Sequence, residues 1–530
     1  MARVAAPRDD WRGGCSERPP DRAHRYRGPV RDRATRRHPV PRTFVLGGLG
    51  LGFVPGLPHI TLQPELVLLV FLPPLLFGAA FETPLRDLRA NLWPIGRLSI
   101  GLVIFSTVVV AAVAQAMIPG LGWPAAFALG AIVAPTDALA ATTVFRRLGV
   151  PHVVLTLIEG EALFNDATAL IAYRAAVLAV GGGFVLASAV GGFAVAAMGG
   201  LAIGYVVGRA AAAILKWLDD PPAEVVASLL IPFAAYLPAD RIGVSGVLAV
   251  VTAGLVIGRR LGTMLSPSSR LLWLTTWKMV GFVLNGLVFI LIGQALPDIL
   301  RELGNRQPLE TVGLAAVVCL VAIVTRFVWI FLASLLPRSP RRAIAARDAS
   351  LAWRLTFLVS WSGLRGAVSL AAALALPADF PERSLILLVT FAVILATLVG
   401  QGLTIPLVLR WVRWDGIEAD GDEAVGARAT MYQVGLDTLR AIRPRWPGHE
   451  PLFDRLESGL SDRESHLATE DAVETEGRRQ EHFEHQQIQL AVINAQRAVV
   501  IELRDAAEIN DATLRTLERE LDLEELRMEA

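Results

Sequence analysis

The chain has 530 residues, 53% of them hydrophobic, and a mean hydropathy of +0.49. That is too apolar for a soluble multidomain protein, and a formal net charge of +1 gives no electrostatic footprint for nucleic acid. Cys15 and Cys319 lie far apart, the second inside an apolar run, which excludes a disulfide framework and a cysteine metal site.

Residues 1–42 are rich in Arg, Pro and Asp, without apolar periodicity and without the apolar core and cleavage site of a secretory signal. They read as a disordered, basic, cytoplasmic lead. Twelve apolar segments follow, at 43–57, 64–81, 96–118, 124–145, 154–180, 184–215, 223–238, 242–258, 276–296, 310–336, 355–377 and 384–411. Their lengths suit membrane-spanning helices, so the fold class is an all-α polytopic membrane protein with about 12 transmembrane helices over residues 43–412. Gly200, Gly204 and Gly208, four residues apart, put small residues on one helical face, as close helix packing requires.

The loops give an independent reading. Arg86, Arg89 and Arg97 share one, Arg146 and Arg147 another, and Lys216 a third; Arg259, Arg260 and Arg270 follow, then Arg338, Arg341, Arg342, Arg347 and Arg354. The intervening loops hold only Arg241, Arg301, Arg306 and Arg383. This alternation predicts both termini on the cytoplasmic side of the cell membrane. Residues 413–530 form a charged, mostly helical cytoplasmic tail in which Leu514, Leu517 and Leu521 share a stripe suited to docking. His482 and His485 in EHFEH lack further ligands at metal spacing and read as a solvated face.

Three motifs carry candidate chemistry. In Ala134-Pro135-Thr136-Asp137, the proline has no N–H and its ring clashes with the carbonyl of Ala131, so the helix should open near its middle. Inside a membrane such a break is tolerated only within protein or beside a wet cavity, and broken helices are how secondary transporters expose carbonyls and helix ends to ions. The plain alternative is a proline kink with Asp137 satisfied by neighbours.

In Glu159-Gly160-Glu161-Ala162-Leu163-Phe164-Asn165-Asp166, Glu161 and Asn165 share a helical face, whereas Glu161 and Asp166 point about 140° apart around the axis. Different partners are expected. Asp166 is the candidate ion or proton carrier, because desolvation favours the protonated carboxyl and readies it for exchange. Glu161 needs a cation to remain charged in the bilayer, and Arg326, in VAIVTRFVWIF, is the mate, in a structural ion pair. Glu159, a turn nearer the cytoplasmic end, is expected to be solvated.

In Trp361-Ser362-Gly363-Leu364-Arg365-Gly366-Ala367, two glycines flank an intramembrane Arg365 and predict a second interrupted helix. Arg365 is placed to neutralise helix ends or the acid cluster.

The succession APTD, EGEALFND, FVLNGLVFILIG, a buried Arg, SGLRGAVSLA and QGLTIPL resembles the cation:proton antiporter family that includes the bacterial and animal sodium/proton exchangers. The resemblance covers roughly residues 45–412, and the tail, ending LERELDLEELRM, is similar to that of the bacterial branch. It implies an inverted-repeat antiporter fold with broken crossing helices, in which Asp166 binds the ion and proton with Asn165 beside it. Thr136 and Asp137 would sit at the unwound crossing helix, Glu161 and Arg326 would form a core-stabilising pair, and Pro135, Gly363, Arg365 and Gly366 would belong to the crossings. The implied activity is exchange of Na+, or Li+ or K+, for H+, regulating internal pH and cation content, with no enzyme chemistry, cofactor or resident metal. A homodimer in the lipid bilayer is the implied assembly. Competing readings are a cation channel or leak pathway and a transport-inactive regulatory membrane protein.

Three departures stand out against the family pattern. Ala162 replaces a usual Ser, Gly78 stands where many members carry Glu, with Glu82 one turn on, and Ala138 follows Asp137 where Pro is common. Members also commonly carry thirteen spans and begin with an apolar one. The Arg-rich lead in that place reads as a truncated, divergent or misread N-terminus.

Overall fold

The computed structural model describes residues 47, 48, 50, 67–147, 150, 152–182, 186–218, 220–302, 308–336, 349–412, 419–465, 487, 490–503 and 511–529. The lead, the apolar segment 43–57 apart from residues 47, 48 and 50, the His482/His485 pair and the loop residues Arg306, Arg338, Arg341, Arg342 and Arg347 lie outside them. Among the described residues the regular structure is helical throughout. They fall into two units that divide between Asp415 and Gly416.

The first unit is a bundle of apolar helices. A π-helical turn at Val67–Phe71 leads into α1, Leu72–Glu82. After the short helix Leu85–Ala90 comes α2, Leu92–Met117, which contains a second π-helical stretch at Arg97–Leu102. Then follow α3 (Trp123–Val133), α4 (Leu139–Arg147), α5 (His152–Val180), α6 (Leu186–Leu218), α7 (Pro221–Arg241) and α8 (Gly246–Gly258). The remainder are α9 (Pro267–Glu302), α10 (Pro308–Leu335), α11 (Ala349–Trp361), α12 (Ala367–Leu374) and α13 (Arg383–Trp411). Seven helices among the described residues are long and apolar enough to cross a membrane, and shorter apolar ones pack between them.

Local chemistry sets several boundaries. Asp220 caps α7 by accepting from the Ala223 amide at 3.1 Å, with two prolines occupying the first helical positions, where a missing N–H costs nothing. Ser245 caps α8 through the Leu248 amide at 3.2 Å. The glycine stripe of α6 lies against α8: a Cβ at Gly204 would stand 2.7 Å from Thr252 Cβ and press on the Ala249 carbonyl. The four-residue spacing thus lets two backbones touch.

Two apolar bodies result. One gathers the inner faces of α2, α3, α10, α11 and α13. The other gathers α1, α7, α8 and the first turns of α9, with Trp273 and Trp277 packed on Phe77 and Phe81. Helix α5 serves both, sending Leu155 and Ile158 into the first and Leu163 and Ala167 into the second. Outward faces carry apolar side chains, as on α6, where Val195, Met198, Val206 and Trp217 are exposed; bilayer hydrocarbon suits such a surface and water does not.

In the second unit, α14 (Ala419–Ile442) and α15 (Glu450–Ser465) are tied by Arg443, which bonds Glu450, Asp454 and Glu457. A helix over 490–503 lies by α16, Asp511–Glu529, where Arg497 reaches Asp522 and Glu525 at 2.7 and 2.9 Å. The leucine stripe faces inward, with Leu514 buried and Leu517 and Leu521 half-buried.

Candidate ion-binding site

Segments 124–145 and 355–377 are each two helices separated by non-helical chain. Helix α3 stops at Val133 and α4 begins at Leu139; α11 stops at Trp361 and α12 begins at Ala367. The breaks cross and bond to one another: the Asp137 amide donates to the Leu364 carbonyl at 2.7 Å. A proline begins the first gap and glycines bracket the second. A Cβ at Gly366 would stand 2.8 Å from Asp137 Cβ, and one at Gly363 would stand 2.6 Å from Arg326 Nε. Only a residue without a side chain admits these approaches.

A helix that stops inside a membrane leaves unpaired carbonyls and the negative end of its dipole. Each stop is met here by a buried arginine. Arg365 Nε donates to Val133 O at 2.9 Å, covering the end of α3, while its Nη1 reaches Gly363 O. Arg326 covers the end of α11, donating to Val359 O from Nε at 3.3 Å and Nη2 at 3.1 Å. The opposite ends, where α4 and α12 begin, present positive dipole, and the Asp137 side chain lies there against Gly366, the N-cap of α12.

Arg326 also grips Glu161 with both terminal nitrogens, Nη1 to Oε1 and Nη2 to Oε2 at 2.9 Å, and both side chains are 2% exposed. Thr136 adds a third bond, its hydroxyl donating to Glu161 Oε1 at 2.8 Å. Asn165 then bonds Thr136 twice, from Nδ2 to the carbonyl at 3.0 Å and to Oγ1 at 2.9 Å. Arg326, Glu161, Thr136 and Asn165 are one fully buried chain of bonds that clamps the first break to α5. Asn165 Oδ1 ends the chain, buried and without a hydrogen-bond partner.

Asp166 points elsewhere, as the helical wheel requires. It lines a cavity of about 280 Å3 bounded by α1, both breaks, α4, α5 and α12. Pro135, Thr136, Asp137, Ala162 and Ser369 also line it, and so do Glu82, Arg146 and Glu159. The last three mark the mouth: Arg146, half exposed, bonds Glu159 at 2.5 Å. Glu159, expected to be solvated, keeps 20% of its side chain exposed and is also paired with Arg146. Glu82 also lines a shallow depression with Arg86, Arg89 and Arg259, so the cavity opens on the face that carries these basic loop residues.

Two departures from the family pattern separate here. Ala162 lines the cavity beside Asp166, whereas a Cβ at Gly78 would meet Trp277 at 3.6 Å, within the aromatic cluster. Sequence reasoning missed the Arg146–Glu159 pair, whose signal was the position of Arg146 at the end of a short helix adjoining α5. It also missed the bond from Arg326 to the end of α11.

A family model described as sodium/hydrogen exchanger, transmembrane, matches residues 33–411. The chain belongs to this family. An uncharacterized Na+/H+ exchanger of Mycobacterium tuberculosis is 35% identical over 518 residues, covering 95% of this chain and 93% of its own. A sodium, potassium, lithium and rubidium/H+ antiporter of Bacillus pumilus is 36% identical over 423 residues, 76% of this chain and 62% of that one. Among solved structures, the sodium proton antiporter MjNhaP1 of Methanocaldococcus jannaschii matches with a TM-score of 0.55 at 20% identity, over 71% of this chain and 92% of its own. The exchanger-family chain described here thus has the antiporter fold, and it is a multi-pass membrane protein.

Proposed function

We infer that the protein exchanges a monovalent cation for H+, with Asp166 as the group that both bind in turn. The observation that carries this reading is the cavity from the basic face to Asp166, ending where two broken helices cross. Na+ is the proposed cargo, with Li+ or K+ as further cargoes, and the consequence is control of internal pH and cation content.

A hard cation takes oxygen ligands. Asp166 supplies charge, Asn165 Oδ1 is a buried acceptor with no other bond, and water fills positions that Ala162 leaves open. The Thr136 hydroxyl is already committed to Glu161 and Asn165, so Thr136 orients the site and does not ligate through its side chain. Asp137, at the start of two half-helices, tunes the field. Because one carboxylate cannot hold both ligands, proton and cation compete. Movement of the loaded site between the two faces of the membrane then couples their fluxes.

The protein is proposed to sit in the cell membrane with its basic face, and both termini, on the cytoplasmic side. Residues 413–530 form a cytoplasmic tail, and the assembly is a homodimer. The central experiment uses everted vesicles. Cations should dissipate an imposed ΔpH in wild type and not in Asp166→Asn, and an imposed ΔpH should drive Na+ uphill. Full exchange by a correctly inserted Asp166→Asn would remove Asp166 from the mechanism, and a Na+ flux that never runs uphill would make the protein a channel.

A further inference from the structure

Many buried hydroxyls in this bundle spend their proton on a carbonyl one helical turn back. Thr356 bonds Ala352 O at 2.7 Å, Ser360 bonds Thr356 O at 2.8 Å, and Thr397 bonds Val393 O at 2.8 Å. This is the cheapest way to satisfy a hydroxyl in an apolar environment. Ser106, Thr107, Ser369 and Thr390 depart from it, and of these four only Ser369 lines the cavity that holds Asp166. Ser369 is 1% exposed, and its Oγ has no hydrogen-bond partner.

The broken helix explains why. Ser369 is the third residue of α12, so the carbonyls one turn back belong to Arg365 and Gly366, where the chain is extended and Gly366 has φ −135° and ψ −153°. No helical turn precedes Ser369 to accept its proton. An orphaned buried hydroxyl is destabilising, because it has given up its bonds to water and gained none. Such a cost persists where a ligand or water uses the group. Ser369 lines the cavity that holds Asp166 and Ala162.

The other neutral hydroxyls of that cavity are spent: Thr136 on Glu161, and Thr142 on the Ala138 carbonyl at 3.0 Å. We propose that Ser369 is a further ligand of the transported cation, its Oγ supplying from α12 a neutral oxygen that Ala162 cannot supply from α5. This rests on Asp166 being the exchange site. It adds that the site spans both helices, so that the cation joins α12 to α5 when bound.

The test pairs transport with a binding readout. In everted vesicles Ser369→Ala should raise the half-saturating Na+ concentration about tenfold, the equivalent of one lost polar contact, while the rate at saturating Na+ stays near wild type. Ser369→Thr should restore the wild-type value, and adding Ala162→Ser to Ser369→Ala should recover part of the loss. In purified protein, Na+-dependent thermal stabilisation should require about tenfold more Na+ for Ser369→Ala. Ser369→Cys, which keeps the volume but offers a soft sulfur, should behave like Ser369→Ala and serves where the alanine variant inserts poorly. Unchanged half-saturation and unchanged Na+ stabilisation in the alanine or cysteine variant would overturn the proposal. So would a fall in maximal rate alone, because that marks a packing role. Asp166→Asn separates the premise: if it exchanges normally, the site reading fails whatever Ser369 does, and if it is inactive while the Ser369 variants bind normally, only the added ligand fails.

Discussion

Glu161 sits in the same helix as Asp166, five residues away, yet its carboxylate is consumed by three hydrogen bonds from Arg326 and Thr136. Removing one partner of a buried pair strands the other in a low-dielectric interior, at about 3–5 kcal/mol. Arg326 also covers Val359 O, so its loss uncaps α11 as well. Glu161→Gln and Arg326→Gln are therefore expected to lower folded yield and melting temperature, with Arg326→Gln the more severe. Size-exclusion profiles and thermal melts in detergent check this, and two variants as abundant and stable as wild type would contradict it. At this scale the sequence was informative about opposition: a separation of about 140° on the helical wheel was enough to give the two acids different partners. It was silent on Ser369, because what marks that residue is a missing bond beside the cavity, and both the bond and the cavity depend on how distant segments pack.

At the scale of elements, the helix breaks were legible from Pro135 and from the glycines around Arg365, since each residue type has a local steric consequence. Their mutual contact was not. The bond from the Asp137 amide to the Leu364 carbonyl joins segments far apart in the chain, and no local pattern encodes which break meets which. Close packing of α6 was readable for the opposite reason, because three glycines at helical spacing imply a near backbone whatever its identity. That packing makes a quantitative expectation. Gly204→Leu must displace the Ala249 carbonyl and Thr252, and overpacking of this kind costs about 1–3 kcal/mol. Its melting temperature should fall, whereas Gly313→Ala on α10, where a Cβ meets nothing within 4 Å, should melt like wild type. Equal melting of Gly204→Leu and wild type would show that α6 and α8 can separate freely.

For the molecule as a whole, the two apolar bodies share α5, and the cavity draws its walls from both: Leu76 and Leu163 belong to one, while Ala138 and Ala367 pack on the other. Hydrophobic periodicity revealed the helices but not this partition, which depends on which faces meet. The crossing described above belongs with α3, α5, α10 and α11, and its charged groups travel together if one body shifts against the other. Two guanidinium groups, Arg326 and Arg365, stand there against three carboxyl groups, those of Glu161, Asp137 and Asp166. With Asp166 vacant, one negative charge is in excess, and carrying it through hydrocarbon is costly. A single proton or a single alkali cation cancels it. If exchange takes place at Asp166 as proposed, one proton against one cation, the body is electrically neutral on both legs of the cycle and voltage has nothing to pull on. In proteoliposomes an imposed membrane potential of either sign should leave the initial rate of Na+/H+ exchange unchanged; acceleration by one polarity would mean that a further charge moves with the site.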